Sequence, residues 1–479
     1  MIRRLAADDN ETLILAASAI VALHQRAGEA MVEPFEGEIP PPAPPETRPA
    51  CHPTATDILL QIIPGGLDFQ LLPEWLAGAD VAGVRVPVAY LAPTLNLLHR
   101  VVRTTGKIPD HVAGVVGARG RWLARHHHKW AFVVWESDFD YAWAQSTSET
   151  RPALFRALRR KSPAHAREIF IAIHRHLPKQ DRAKYIEDMR IGLSEADESL
   201  FETLLDTNDP EVTQAAADRL RELPGSAYVQ RMIGRLQGRF RLVQSADGRQ
   251  QLTYAPFDTL TADMRRDGID RPPPAGLSQQ QAWVFFMMTC IPPHIWCDWF
   301  GKTPAEILQA GSHQPEFFVQ AWLRATHAHR DTDWARMLFD DMLQRDTSAL
   351  KRDVIWVLNV LPPDEREAAA IRIWNTTEEG ISGYMWLAGP GPWRVRLSRE
   401  AIRLLKVGKH AFYWRIPNIE DCLMHVDPQT LTEMQPLFDE MTESEYPMRI
   451  QQKLDRLTQL YQARLDINAA FEHPPTNER

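Results

Sequence analysis

Apolar side chains recur at spacings of three and four residues through most of the chain, and proline or glycine cuts the runs into short helical lengths. Residues 8 to 31 read as a first amphipathic helix. From Thr54 the helical reading is almost continuous. TATDILLQIIPGG and LLPEWLAGADVAG each carry an apolar stripe and end in Gly or Pro-Gly stops. Ser162-Pro163 sets an N-cap and a first-turn proline before AHAREIF. Ser194 to Asp197 matches a capping box ahead of SLFETLLD. Asp209-Pro210 opens another helix, with Val212, Ala215, Ala216 and Leu220 as its buried stripe and Pro224-Gly225 as its stop.

Two stretches break this rhythm. Residues 34 to 53 hold eight prolines in 20 positions, which predicts an extended, solvated linker. Arg239 to Phe257 alternates in strand fashion around Asp247-Gly248, a hairpin turn pair. The expected organisation is a helix over 1–33, the proline-rich linker over 34–53 and a helical-repeat array over 54–238. A β-hairpin and linker over 239–277, a second array over 278–470 and a tail over 471–479 follow. Helix pairs repeating in this way predict an all-α fold, an α-solenoid with a small β-hairpin insertion. LPKQDRA, from Leu177, and LPPDERE, from Leu361, form a weak internal echo.

Composition changes this picture little. The chain has 479 residues, 44% hydrophobic and 24% charged, as expected for a soluble globular protein. A net charge of −8 argues against indiscriminate nucleic-acid binding. Charge is uneven, however. His99 to Arg190 carries 18 Lys/Arg against 9 Asp/Glu, so the remainder is strongly acidic. Cys51, Cys290, Cys297 and Cys422 are scattered and fit a reducing compartment. The apolar run from Leu13 to Leu23 resembles a short signal peptide, but Asp8, Asp9 and Glu11 precede it and no convincing cleavage site follows. No run is long enough to span a bilayer. A cytoplasmic protein with no membrane partner is expected.

Candidate chemistry is sparse. His126, His127 and His128 would point about 100° apart on a helix and could not share one ion. His327-Ala-His329-Arg-Asp331 imitates a binuclear metallohydrolase motif, but helices flank it, and Asp331 or Asp333 reads better as a cap for WARMLFDDMLQ. His174-Arg175-His176 fails in the same way. Asp138 and Asp140 read as an acidic turn. No phosphate-binding glycine loop, His-Glu-x-x-His or Gly-x-Ser-x-Gly occurs. No catalytic, cofactor-binding or metal-ligating residues are assigned. The candidate interaction surface is basic: Arg119, Arg121, Arg125 and Lys129, then Arg156, Arg159, Arg160, Lys161 and Arg167, with Trp130, Trp135 and Trp143 nearby.

The segments GARGRWLARHHHKWAF, ALFRALRRKSPAHAREIF, the run from GLSEADESLFETLLDTNDPEV to RELPGSAYVQRM, and GLSQQQAWVFFMMTCIPPHIW resemble an uncharacterised bacterial family. Its members carry a domain of unknown function and HEAT-like helical repeats. The Asp209-Pro210-x-Val212 opening with Ala215 and Leu220 is itself similar to a HEAT repeat. In that family GRWLA is followed by Asn-Pro-x-Trp, where this chain has His127-His128-Lys129-Trp130. Trp122 and Trp130 match and the histidines do not. The resemblance supplies no catalytic residues. It implies association with a MoxR-type AAA+ ATPase, a von Willebrand factor A protein and a SWIM zinc-finger protein. The expected function is a non-enzymatic scaffold or adaptor for protein partners. The alternative is a nucleic-acid-binding HEAT-like repeat protein, a DNA repair enzyme among the options, using the basic residues above.

Overall fold

The structure, a computed structural model, describes residues 10–28, 40–345, 347–377, 380–389, 392–407, 412–443 and 447–472. Residues 1–45 and 46–479 form two compact units. The first contains the helix Asn10–Gly28. The second is built from helices around one contiguous apolar core that runs from Cys51 to Ile467. The protein is all-α apart from one two-stranded antiparallel sheet among the described residues.

Local signals act where the sequence places them. Ser194 and Asp197 form a reciprocal capping box. Asp209 accepts from the Glu211 amide and starts the helix Pro210–Leu220, in which Val212, Ala215, Ala216 and Leu220 are all buried. Asp331 Oδ1 accepts from the Trp334 amide at 3.0 Å and starts Thr332–Arg345. Ser162 occupies the N-cap of Pro163–Ile173, but its side chain makes no capping bond.

Strands β1 (Phe240–Gln244) and β2 (Gln250–Tyr254) pair antiparallel, with Phe240 opposite Tyr254 and Gln244 opposite Gln250. The chain reverses through a turn in which the Gly248 amide bonds to the Ser245 carbonyl. Gly248 takes φ +78°, a left-handed conformation suited to glycine. The sheet is anchored by aromatic contacts: Phe240 packs edge-on to Trp296 at 4.7 Å and Tyr254 stacks on Phe317 at 4.8 Å.

The end of the proline-rich stretch is exposed along much of its length but anchored by Cys51 and Glu46. Residues 46–53 belong to the second unit, where Cys51 is buried and its amide bonds to the Arg85 carbonyl at 2.8 Å. Glu46 accepts from the Ala118 and Arg119 amides at 2.7 and 2.9 Å, placing a carboxylate at the N-terminus of the helix Gly117–Ala124. Proline density in this part marks docked extended backbone rather than a free spacer.

The last helix of the unit, Met448–Glu472, packs on its first ones, Pro53–Ile62 and Leu72–Val81. Phe471 meets Trp75 edge-on at 5.5 Å. A Cβ added to Gly78 would lie 2.5 Å from the Phe471 ring, so glycine is what lets the two helices approach. Arg464, almost wholly buried, donates to both oxygens of Glu74 at 2.7 and 3.1 Å and to the Leu423 and Val426 carbonyls. Beginning and end of this unit are therefore joined by apolar packing and a buried ion pair.

Candidate functional site

Helix Leu72–Val81 carries Asp80 in its last turn. Arg48 Nη1 donates to Asp80 Oδ1 at 2.6 Å, and His111 Nδ1 lies 2.7 Å from Asp80 Oδ2. His111 has φ +67°; only it and Arg330 among the described non-glycine residues take a positive φ. That conformation is sterically unfavourable for a residue with a Cβ. Burial works to raise the Asp80 pKa, but the bonds from Arg48 and His111 outweigh it and hold the carboxylate below its ordinary range.

Beside this trio opens a groove of about 680 Å³. Its walls include Ile108, Val112, Val133 and Ala157, with Trp135 among them. Arg160 and Lys161 end the helix Arg151–Lys161 and reach the groove, where cations suit the negative end of the helix dipole. Lys161 Nζ lies 5.4 Å from the centre of the Trp135 ring and donates to the Glu136 carbonyl at 3.5 Å. Asp110 and Glu136 add negative charge to the lining. The groove thus offers apolar, aromatic and both kinds of charged contact.

The nine basic residues predicted as a surface do not converge. Arg159 is fully buried, a correction to the sequence expectation. It donates to the Met189, Ile191, Gly192 and Pro163 carbonyls and pairs with buried Asp197 at 3.2 Å. Arg167 reaches the same Asp197 at 2.8 Å. Arg156 is held by Asp188 at 2.8 Å and the Gly106 carbonyl at 2.6 Å. Arg125 pairs with Asp138 at 2.7 Å, and Arg121 donates to the Ala113 carbonyl at 2.6 Å, supporting the groove wall. Arg119 and Lys129 are exposed elsewhere. Only Arg160 and Lys161 line the groove. Asp80, His111 and Trp135 were missed as a group, because 31 residues separate Asp80 from His111 and no motif links them.

The histidines have structural settings. Trp122 packs edge-on to His126 at 4.6 Å, and His127 stacks between His128 and Trp130 at 5.3 and 4.1 Å. Burial, then the charges of His128 and Lys129, lower the His127 pKa. His329 Nε2 bonds to the Cys290 carbonyl at 3.0 Å, while His327 packs edge-on to Trp356 at 4.8 Å. The His327 and His329 pKa values are pushed down to about 4, in both cases chiefly by burial. Asp138 Oδ1 accepts from the Tyr141 amide at 3.3 Å and starts the helix Phe139–Gln145. Among the described residues no group of three or more His, Cys, Asp or Glu side chains is placed to hold a metal. Burial raises the thiol pKa of Cys51, Cys290, Cys297 and Cys422, which leaves each a weak nucleophile at neutral pH. No helix among the described residues is long and apolar enough to cross a membrane.

These features define a helical protein with one small sheet and a mixed-polarity groove. A family model described as "Family of unknown function (DUF5691)" matches residues 2–471, and the chain belongs to that family. No curated protein and no solved structure matches the chain.

Proposed function

We propose that the protein is a cytoplasmic, non-enzymatic scaffold or adaptor, a solenoid of HEAT-like helix pairs that binds a protein partner through the groove beside Trp135. The groove's mixed lining carries this reading. Ile108 and Val133 suit an apolar side chain, Arg160 and Lys161 an acidic one, and Asp110 and Glu136 a basic one. A nucleic-acid backbone would bring phosphates against Asp110 and Glu136 as well as against the two cations. Helix pairs that pack in sequence order, such as Arg151–Lys161 on Pro163–Ile173 and Glu198–Leu205 on Pro210–Leu220, supply a rigid platform. The family resemblance points to a MoxR-type AAA+ ATPase or a von Willebrand factor A protein as the partner.

The test is purification of the tagged protein from its native host, with and without nuclease, beside an Arg160→Glu/Lys161→Glu variant. The expected result is an AAA+ ATPase or von Willebrand factor A protein that survives nuclease and is lost from the variant. Recovery of nucleic acid that falls away steeply as salt rises would replace this reading with nucleic-acid binding.

A further inference from the structure

A second cleft, of about 480 Å³, lies between residues 187–192 and the end of the helix Phe318–His329. Arg190, His327, Arg330 and Asn359 line it, with Glu187 and Asp188 on one side. Arg190 Nη2 lies 3.3 Å from both ring nitrogens of His327. Asp188 is already engaged by Arg156 at 2.8 Å. We propose that this cleft binds a phosphate group of a small molecule, held between Arg190 and Arg330 above His327.

Charge carries the argument. Arg190 and Arg219 share one carboxylate, Glu222, at 3.2 and 3.1 Å. Arg271 and Arg221 share another, Asp218, at 2.9 and 3.7 Å. Arg324 lies over the Phe285 ring at 5.2 Å and is under the influence of the Asp353 and Asp218 carboxylates, with no direct ion pair among the described residues. Arginines from helix ends far apart in sequence thus outnumber the carboxylates between them.

Burial sharpens this excess. The Nε groups of Arg219, Arg221 and Arg324 are buried with no hydrogen-bond partner, and the Arg219 side chain is 10% exposed. Guanidinium groups in such a setting cost free energy unless negative charge offsets them. After burial, the charges of Arg190, Arg221, Arg330 and Arg219 all oppose protonation of His327, which lines the cleft. A bound dianion reverses that influence and lets the imidazole donate as well.

Arg330 occupies the left-handed C-cap of its helix, at φ +52°. Glycine or asparagine fills this position most readily. An arginine there sets a guanidinium at the cleft mouth. Its planar fork and that of Arg190 can each pair two oxygens of a phosphate. The cleft volume suits a small molecule.

The test titrates the full chain with pyrophosphate, and separately with citrate at equal ionic strength, following heat of binding and thermal unfolding. Arg330→Asn keeps a residue that tolerates the left-handed backbone, and Arg190→Gln removes the facing charge. Saturable pyrophosphate binding is expected, tighter than citrate and weakened about tenfold or more by either substitution. Arg160→Gln, in the other groove, is expected to leave it unchanged. Absence of saturation, equal binding by citrate, or wild-type affinity in Arg330→Asn and Arg190→Gln would overturn the proposal. None of these results depends on whether the groove beside Trp135 takes a protein partner.

Discussion

The stretch from His99 to Arg190 and the cluster around His327 are both rich in arginine, and they use it in opposite ways. In the first, cations adjacent in sequence are dispersed by the fold. Arg156, Arg159 and Arg167 turn toward Asp188, Asp197 and backbone carbonyls, leaving Arg160 and Lys161 at a groove. In the second, Arg190, Arg219, Arg221, Arg271, Arg324 and Arg330 come from four separate segments and outnumber the carboxylates of Glu222, Asp218 and Asp353. Linear charge density thus reports little about surface potential. Helix periodicity sends successive side chains in different directions, and long-range contacts choose the partners.

The neighbours Arg159 and Arg160 give the largest expected contrast. Arg159→Ala strands buried Asp197 and several carbonyls, so a loss of about 3–5 kcal/mol is expected in urea unfolding. Arg160→Ala is expected to stay within about 0.5 kcal/mol, because its side chain is exposed. Equal losses in the two variants would erase the distinction between them.

Acid should act on the second region. His329 and His327 have pKa values of about 4 in the fold, against 6.5 ordinarily. The unfolded chain therefore takes up protons first. The stability that comes from burying neutral imidazoles is complete above pH 6.5 and is lost as pH falls toward 4. For His329 the loss is on the order of 3 kcal/mol, read as the difference in unfolding free energy between neutral pH and pH 4. His329→Gln should flatten part of that profile; an unchanged slope would show that other groups control it.

Helix closure is the next measure. Gly78→Ala forces a Cβ against the Phe471 ring, with an expected cost of about 1–3 kcal/mol in thermal unfolding. A neutral result would mean that the terminal helix shifts readily. A smaller stability effect, about 1 kcal/mol, is expected from Arg160→Glu/Lys161→Glu, because two carboxylates then face the negative end of the helix dipole, while partner capture is lost. A variant that retains its partner would remove the groove from the binding surface.

Much of the local architecture was legible in the chain. The capping box at Ser194, the cap at Asp209, the stripe of Val212, Ala215, Ala216 and Leu220, and the hairpin around Gly248 all depend on residues within a few positions of one another. Short-range hydrogen bonding and side-chain periodicity determine such features, so sequence alone specified them. The candidate sites were legible only in part: Arg160 and Lys161 stood out, but Arg159 looked identical to them. Burial of Arg159 against Asp197, the meeting of Asp80 with His111, the docking of Arg464 on Glu74 and the gathering of arginines around His327 were decided by tertiary structure. Each joins residues distant along the chain, and the energy of a charge depends on the partners and solvent that packing leaves around it.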